Sequence, residues 1–136
     1  MITAVDSNIL IDVLGAHPTF GPASSDALRT ATRSGALIAS EVVWAETSGW
    51  YSSEEEAAAA LDDLRVRLVP TGSSAAFAAG AAWSAYRRAG GKRERMIADF
   101  LVGAHASVHA DRLLTRDSRF YGKRFSGLTI LDPTAG

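Results

Sequence analysis

The sequence predicts an α/β protein in which helices cover both faces of a parallel β-sheet. Short apolar runs suited to buried strands alternate with longer segments whose apolar residues recur at the three-and-four spacing of a helix face. This alternation is typical of βαβ units, in which each helix carries the chain back to begin the next parallel strand. A chain of 136 residues has room for one domain with its own core, and we expect that domain to span residues 1–136.

The first half of the chain supplies three of the expected strands and three helices. The strands are Thr3–Val5, Ala36–Ala39 and Val66–Val69. Residues suited to capping helices follow the first two strands, namely the Asp6-Ser7-Asn8 triplet and Ser40. Ser53 and three glutamates open the third helix, whose dipole favours acids in its first turn. Gly15 ends the first helix, and no element is assigned between Gly15 and Ala36.

The second half of the chain continues the alternation. We expect an alanine-rich helix, capped by Ser73 or Ser74, to run to about Ala89, where a pair of glycines ends it. A further helix over Met96–His109 and a short one near Ser118 are expected to alternate with two more strands. These strands are Leu113–Thr115 and Leu128–Leu131.

The composition excludes several classes of site and partner. Because the chain has no cysteine, disulfides, Cys-ligated zinc, iron–sulfur clusters and thiol nucleophiles are excluded. The formal net charge of −1 argues against a nucleic-acid coat protein, so any polyanion must be held by local features. Asp6 and Asp12 interrupt the first apolar stretch, and no other stretch stays uncharged for the roughly 18 residues of a membrane helix. We therefore expect a cytoplasmic protein with no membrane partner.

Two aspartates directly follow expected strands. Asp6 comes after the first strand, and Asp117 comes after the strand Leu113–Thr115. Ligands of an open parallel sheet bind beyond the carboxyl ends of its strands, and neighbouring strands lie about 4.8 Å apart. If these two strands are neighbours, Asp6 and Asp117 can share one small cation. The alternative for each aspartate is a cap on the helix that follows it.

A third acid, Glu46, lies on an apolar helix face. Val42, Val43 and Trp50 share this face at three-and-four spacing, and Glu46 interrupts it. We expect its carboxylate to face the site, and the alternative is a helix rotated so that Glu46 reaches solvent. The competing acid of this helix, Glu41, is expected in the first turn as a surface residue.

A fourth acid, Asp99, lies in the segment Met96–Ala104, which is apolar on nearly every face of a helix. That pattern indicates a helix buried by its neighbours, and a buried carboxylate needs a partner. Stabilisation of the helix N-terminus, or an ion pair with Arg93 or Arg95, would also explain this acid.

Electrostatics restrict what these four acids can do together. Two like charges 4 Å apart repel by about 4 kcal/mol at an effective dielectric near 20. No lysine lies near any of the four in the sequence, so either the acids are scattered or a divalent cation neutralises them. Ligation by oxygen alone favours Mg²⁺ or Mn²⁺ over zinc. Such an ion lowers the pKa of a bound water and polarises a phosphoryl oxygen, which is the chemistry of phosphodiester hydrolysis.

Four segments together resemble the PIN-domain family, and most closely its VapC-type toxins. They are Val5-Asp6-Ser7-Asn8-Ile9-Leu10, Glu46 about forty residues later, Asp99-Phe100-Leu101-Val102-Gly103-Ala104-His105-Ala106, and Leu114-Thr115-Arg116-Asp117 with Phe120. Each segment alone is a weak signal. Their order and spacing match the family across nearly the whole chain.

The resemblance implies a three-layer α/β/α sandwich with the first and fourth strands adjacent. It also implies a Mg²⁺- or Mn²⁺-dependent endoribonuclease that hydrolyses RNA with a metal-activated water. Metal binding and catalysis then fall on Asp6, Glu46, Asp99 and Asp117. The secondary candidates, which would help to shape the substrate site, are Ser7, Asn8 and Thr115. The family further implies a homodimer and a small cognate antitoxin.

RNA needs positive charge beyond the metal, and two basic clusters flank candidate ligands. They are Arg87, Arg88, Lys92, Arg93 and Arg95, and Arg116, Arg119, Lys123 and Arg124. From the second cluster we select Arg116 and Arg119 as substrate-binding residues, although a solvated surface would also explain them. His105 and His109 are expected to be helix residues rather than ligands.

Six aromatic residues concentrate in the middle helices. They are Trp44, Trp50, Tyr51, Phe77, Trp83 and Tyr86. We expect most of them in the core and some at the antitoxin interface, because exposed aromatic rings are enriched at protein interfaces.

Two other functions compete with the nuclease prediction. A receiver domain would need a lysine after its last strand, and this chain has none there. A catalytically silent PIN-like module for RNA binding or regulation would keep the fold, but it does not explain four acids at these positions.

Overall fold

The computed structural model describes residues 1–92 and 95–135. Its strands are β1 (Ile2–Val5), β2 (Ala36–Ala39), β3 (Val66–Leu68), β4 (Arg112–Leu114) and β5 (Thr129–Leu131). They form one sheet in the order β3-β2-β1-β4-β5. Every pairing is parallel, and Val5 of β1 lies in register with Leu114 of β4. The predicted parallel sheet, with its first and fourth strands adjacent, is confirmed.

Helices flank this sheet in the α/β/α arrangement expected from the sequence. In the described residues they are α1 (Ser7–Leu14), α2 (Gly21–Ser34), α3 (Glu41–Ser48), α4 (Glu54–Asp63), α5 (Gly72–Arg88), α6 (Ile97–His109) and α7 (Ser118–Arg124). Within the described ranges, no helix is both long enough and apolar enough to cross a membrane.

Side chains cap several helices where the sequence predicts caps. Ser40 Oγ accepts from the backbone N–H of Val43 at 3.4 Å, and Ser53 Oγ accepts from that of Glu56 at 3.1 Å. The prediction for α5 is wrong, because this helix already begins at Gly72 and no side chain caps it. The preceding Thr71 N–H donates instead to Glu41 Oε2 at 2.9 Å, so a contact from α3 fixes the start of α5.

The sequence interpretation misses α2 entirely. This helix has Pro22 in its first turn, and serines and threonines occupy much of its length. These residue types have low helix propensity. The helix buries Leu28 and Ala31 in the core and packs mainly against α1. Tertiary packing therefore outweighs weak local propensity in this segment.

An aromatic cluster fixes the start of α6, which carries Asp99. Phe100 is fully buried, and its ring centroid lies 5.3 Å from those of Trp83, Tyr86 and Phe120. Because these rings belong to α5, α6 and α7, the cluster holds three helices together beside the carboxyl end of β4. Aromatic pairs at such separations stabilise beyond their area burial.

Candidate functional site

The four predicted acids come from different parts of the fold. Asp6 directly follows β1 and is the N-cap of α1, while Asp117 lies just beyond β4 and precedes α7. Asp99 is in the first turn of α6, and Glu46 lies in the second half of α3. The first two therefore lie at the carboxyl ends of adjacent strands, where ligands of parallel sheets bind.

Asp6 is the most buried of the four, with 6% of its surface exposed. Its carboxylate accepts from the Ser7 N–H at 2.7 Å and from Thr115 Oγ1 at 2.8 Å. Burial raises the pKa of Asp6 to about 6, against the lowering effect of these two hydrogen bonds. The charges of Glu46 and Asp99 raise that pKa further. Both acids thus lie close enough to destabilise a charged Asp6.

Thr115 and Asn8 link the ends of β1 and β4. Thr115 Oγ1 accepts from the Asp117 N–H at 3.0 Å and from Asn8 Nδ2 at 3.3 Å. Asn8 Oδ1 in turn accepts from the Arg116 N–H at 3.3 Å. These contacts place Thr115 and Asn8 beside Asp6 and tie the Asp6 carboxylate to the backbone of Asp117.

Asp99 both stabilises its helix and acts on the other acids. Its Oδ2 accepts from the Met96 N–H at 3.1 Å, so the predicted alternative of helix-end stabilisation is present. Its charge nevertheless reaches Asp6. Burial, followed by the charges of Asp6, Asp99 and Asp117, also raises the pKa of Tyr121 above its ordinary value. The charges of all three aspartates therefore act on one buried phenol.

Asp117 forms an ion pair with Arg95. The guanidinium Nη1 binds Oδ2, and Nη2 lies 3.2 Å from Oδ1. The same guanidinium lies 4.2 Å from the centre of the Phe120 ring. The sequence offers two explanations for the four acids, namely that they are scattered or that a divalent cation neutralises them. The structure adds a third contribution, because Arg95 partly neutralises the acids. Of the two arginines considered as partners for Asp99, Arg95 pairs with Asp117 and Arg93 lies outside the described residues.

Glu46 is the least constrained of the four acids. Glu46 is exposed, which agrees with the alternative that the helix is rotated so that this side chain reaches solvent. Its charge still contributes to the raised pKa of Asp6. The structure thus links Asp6 to Asp117 through Thr115 and leaves Glu46 at the solvent side.

The donor set fits Mg²⁺ or Mn²⁺ in chemistry, although the side chains do not form a ready-made cage. In the described part of the chain, no three Asp, Glu or His side chains converge into a metal-binding group. Asp117 is held by Arg95, and Asp99 by the Met96 N–H. All the nearby carboxylates offer oxygen, which these ions prefer. A divalent cation would also favour the charged form of Asp6, which burial disfavours.

An open groove of about 450 Å³ borders Asp117. Members of both predicted basic clusters line it, namely Lys92, Arg95, Arg119, Lys123 and Arg124. Arg124 also lies 4.7 Å from the centre of the Tyr86 ring, so part of the groove wall is aromatic. A cationic groove beside acidic residues is suited to an anionic ligand that reaches the acids.

The sequence interpretation misses Asp12 as a partner of Arg116. Arg116 lies in the loop between β4 and α7, and its Nε and Nη2 lie 2.7 and 3.0 Å from the two carboxylate oxygens of Asp12. Asp12 is only 1% exposed. Asp12 interrupts the apolar stretch of residues 9–14, and such an acid within an apolar stretch indicates a buried carboxylate that needs a partner.

The two histidines of α6 hold a loop rather than the acids. His105 Nε2 lies 2.8 Å from the Val69 carbonyl, and His109 Nε2 lies 2.7 Å from the Thr71 carbonyl. Burial lowers the pKa of His105. Their contacts therefore join α6 to the segment between β3 and α5.

Comparisons with known proteins agree with this architecture. A family model of the PIN domain matches residues 3–125. The chain is similar to VapBC2 from Rickettsia felis, solved bound to a DNA fragment from its promoter, with 21% identity and a TM-score of 0.74 over 97% of this chain and 98% of that one. It is also similar to VapBC-1 from nontypeable Haemophilus influenzae, with 20% identity and a TM-score of 0.72 over 99% of this chain and 100% of that one. A toxin–antitoxin complex from Klebsiella pneumoniae matches with 19% identity and a TM-score of 0.70 over 98% of this chain and 99% of that one.

These comparisons differ in what they show. A search of curated protein sequences gives no match, and structural likeness at about one-fifth identity shows the fold alone. The family model is more informative, because it covers most of the chain and includes all four acids. The chain therefore belongs to the PIN domain family.

Proposed function

We propose that the protein is a metal-dependent endoribonuclease and the toxin of a VapBC-type toxin–antitoxin pair. The observation that carries the proposal is the position of Asp6 and Asp117 at the carboxyl ends of adjacent strands, with the charge of Asp99 acting on Asp6. Concentrated negative charge in a member of the PIN domain family is explained by a cation that compensates it.

In this proposal Asp6, Asp99 and Asp117 hold Mg²⁺ or Mn²⁺, and Glu46 assists from α3. A divalent cation held by these residues would lower the pKa of a water and would polarise a phosphoryl oxygen. Thr115 donates to Asp6 and accepts from the Asp117 N–H. It therefore ties the Asp6 carboxylate to the Asp117 backbone and restricts the freedom of both residues, as catalysis by preorganised groups requires.

RNA is the proposed substrate, and the basic groove beside Asp117 is the proposed path of its backbone. Lys92, Arg119 and Lys123 line the groove and are exposed, so their charges are available to phosphates. Arg116 is a weaker candidate, because two of its nitrogens already bind Asp12. In this proposal Arg116 supports the loop that carries Asp117.

An antitoxin and a second copy of the chain are the proposed protein partners. Trp50 is 61% exposed at the end of α3, and Phe77 is 79% exposed on α5. Near Trp50, an open groove of about 610 Å³ is lined in part by Trp44, Tyr51 and Leu68. Exposed aromatic and apolar surface of this kind is typical of protein interfaces. The VapBC and toxin–antitoxin complexes among the structural relatives support the antitoxin part of this proposal.

The test combines RNA cleavage with thermal melts of wild type and Asp99→Asn. Wild type should cleave RNA with Mn²⁺ but not in excess EDTA. Its melting temperature should rise with Mn²⁺, because an ion that binds only the folded state stabilises it by RT ln(1 + [L]/Kd). Asp99→Asn should lose cleavage and most of that rise. Without metal it should melt no lower than wild type, because it removes a charge near Asp6 while its amide oxygen can still accept from Met96.

Asp62→Asn is the matched control, because Asp62 is an exposed acid of α4. Its cleavage and metal response should equal those of wild type. Cleavage that persists in EDTA, or an Asp99→Asn variant that responds to metal like wild type, would contradict the proposal. The Arg95–Asp117 pair favours one alternative, a silent RNA-binding module, since it occupies a proposed ligand. That alternative predicts RNA binding with no cleavage at any Mn²⁺ concentration.

A further inference from the structure

We propose that Arg95 is a displaceable counter-ion of the acidic site, which neutralises Asp117 in the metal-free protein and must leave it before a divalent cation binds. This inference rests on the proposed function, because it concerns how the same site is loaded. It makes metal binding a competition between an internal cation and an external one for one carboxylate.

The contact between Arg95 and Asp117 involves both oxygens of the carboxylate. One guanidinium nitrogen binds each oxygen, and the Phe120 ring supports the guanidinium from its face at 4.2 Å. Two-point arginine–carboxylate pairs are stronger and more specific in geometry than single contacts. Both side chains are 31% exposed, so the pair is accessible to an ion from solvent.

The surrounding charges explain why an arginine is held here. Both oxygens of the Asp117 carboxylate bind the guanidinium, and the negative charge of Asp99 also acts on it. A divalent cation coordinated by Asp117 would lie within a few ångströms of this guanidinium, where two positive charges repel each other. The acids therefore attract either cation, but Asp117 does not hold both in this arrangement.

The fold leaves room for the displaced side chain. Arg95 lies just outside α6, which begins at Ile97. An open pocket of about 290 Å³ adjoins it and is lined by Trp83, Arg87 and Met96. The guanidinium can therefore leave Asp117 without unfolding a helix.

The test measures Mn²⁺ binding by calorimetry and by the electron paramagnetic resonance of free Mn²⁺, with no RNA present. Arg95→Gln removes the competing charge and should bind Mn²⁺ about 10-fold more tightly, within the usual range of coupling between two binding events. Its metal-free form should melt lower than wild type in EDTA, because the acids lose their counter-ion. Arg33→Gln removes an equal charge from exposed Arg33 in the last turn of α2 and should leave Mn²⁺ affinity unchanged.

Arg95→Lys provides a second variant in case Arg95→Gln does not fold. It keeps the positive charge but not the two-point contact, and its Mn²⁺ affinity should lie between those of wild type and the expected Arg95→Gln value. Equal or weaker Mn²⁺ binding by the Arg95 variants, with clear binding by wild type, would overturn this inference and leave the proposed function standing. An absence of Mn²⁺ binding in wild type and variants alike would overturn both.

Discussion

Arg116 and Asp12 form a two-point ion pair that ties α1 to the loop between β4 and α7. Asp12 is almost fully buried and also accepts from Ser24 Oγ at 2.9 Å, so the pair reaches α2. The Arg116 guanidinium also lies over an aromatic ring, 4.1 Å from the centre of Phe20. One arginine, adjacent to Asp117 in the sequence, thus joins three elements of the fold.

Removing one partner of this pair should destabilise the protein. Arg116→Gln leaves the Asp12 carboxylate buried with only Ser24 as a partner, and we expect the free energy of unfolding to fall by about 3 kcal/mol at neutral pH. Urea unfolding measures the change. The double variant Asp12→Asn with Arg116→Gln should recover part of the loss, because no charge is left buried. An Arg116→Gln variant as stable as wild type would show that the pair with Arg116 is not what stabilises Asp12 in the fold.

Arg119 should contribute to RNA binding through phosphate contact. Arg119→Gln should weaken binding and reduce the slope of log K against log salt by about 0.7, as expected when one contact to single-stranded RNA is lost. Binding is measured in EDTA over a series of salt concentrations. Arg33→Gln, which changes an exposed arginine of α2, should leave the slope unchanged. The same slope for wild type and Arg119→Gln would mean that Arg119 is a solvated surface residue that makes no phosphate contact.

His105 should make the stability of the protein dependent on pH below about 6.5. Burial lowers the pKa of His105 below its ordinary value of 6.5, so the unfolded chain binds more protons as the pH falls, and the free energy of unfolding decreases. His105→Gln can still donate to the Val69 carbonyl but does not titrate. Urea unfolding of both proteins between pH 7.5 and pH 5 should show the larger loss in wild type. Parallel pH profiles would exclude His105 as the cause.

Two glycine-to-alanine changes should have opposite effects on stability. A Cβ at Gly103 in α6 would lie 2.3 Å from Cε2 of Phe125, so Gly103→Ala must displace that ring and should cost about 1–3 kcal/mol. A Cβ at Gly80 in α5 meets nothing within 4 Å, and Gly80→Ala should add about 0.5–1 kcal/mol through helix propensity. Thermal or urea unfolding compares them. If both changes stabilise the protein, the Phe125 ring must move away from α6 in Gly103→Ala with little loss of free energy.

Local sequence patterns predict most of the fold. Periodicity and caps identify the five strands and six of the helices, because those signals lie within a few neighbouring residues. The exception is α2, whose Ser- and Thr-rich sequence shows no strong pattern and whose helix depends on packing against α1. Packing of one helix against another leaves no periodic signal of this kind in the local sequence.

The candidate site is less predictable, because its chemistry depends on pairs that are distant in the sequence. Asp6 and Asp117 can be selected because each follows a strand. The partner of Arg116, however, is 104 positions away, so the sequence favours phosphate binding where the structure shows an ion pair. Arg95 and Asp117 are 22 positions apart, and nothing in either local segment indicates that they meet.

The central position of β1 has a consequence for how the protein is made. Asp6 and Thr115 are in direct contact although they are 109 positions apart, and β4, which positions Thr115, pairs with β1 in the middle of the sheet. A ribosome therefore releases Asp6 long before the segment that completes its surroundings. Since strand pairing over such separations follows the synthesis of both strands, an incomplete nascent chain cannot assemble the acids. The growing polypeptide therefore cannot complete the candidate site until β4 and the residues that follow it have emerged.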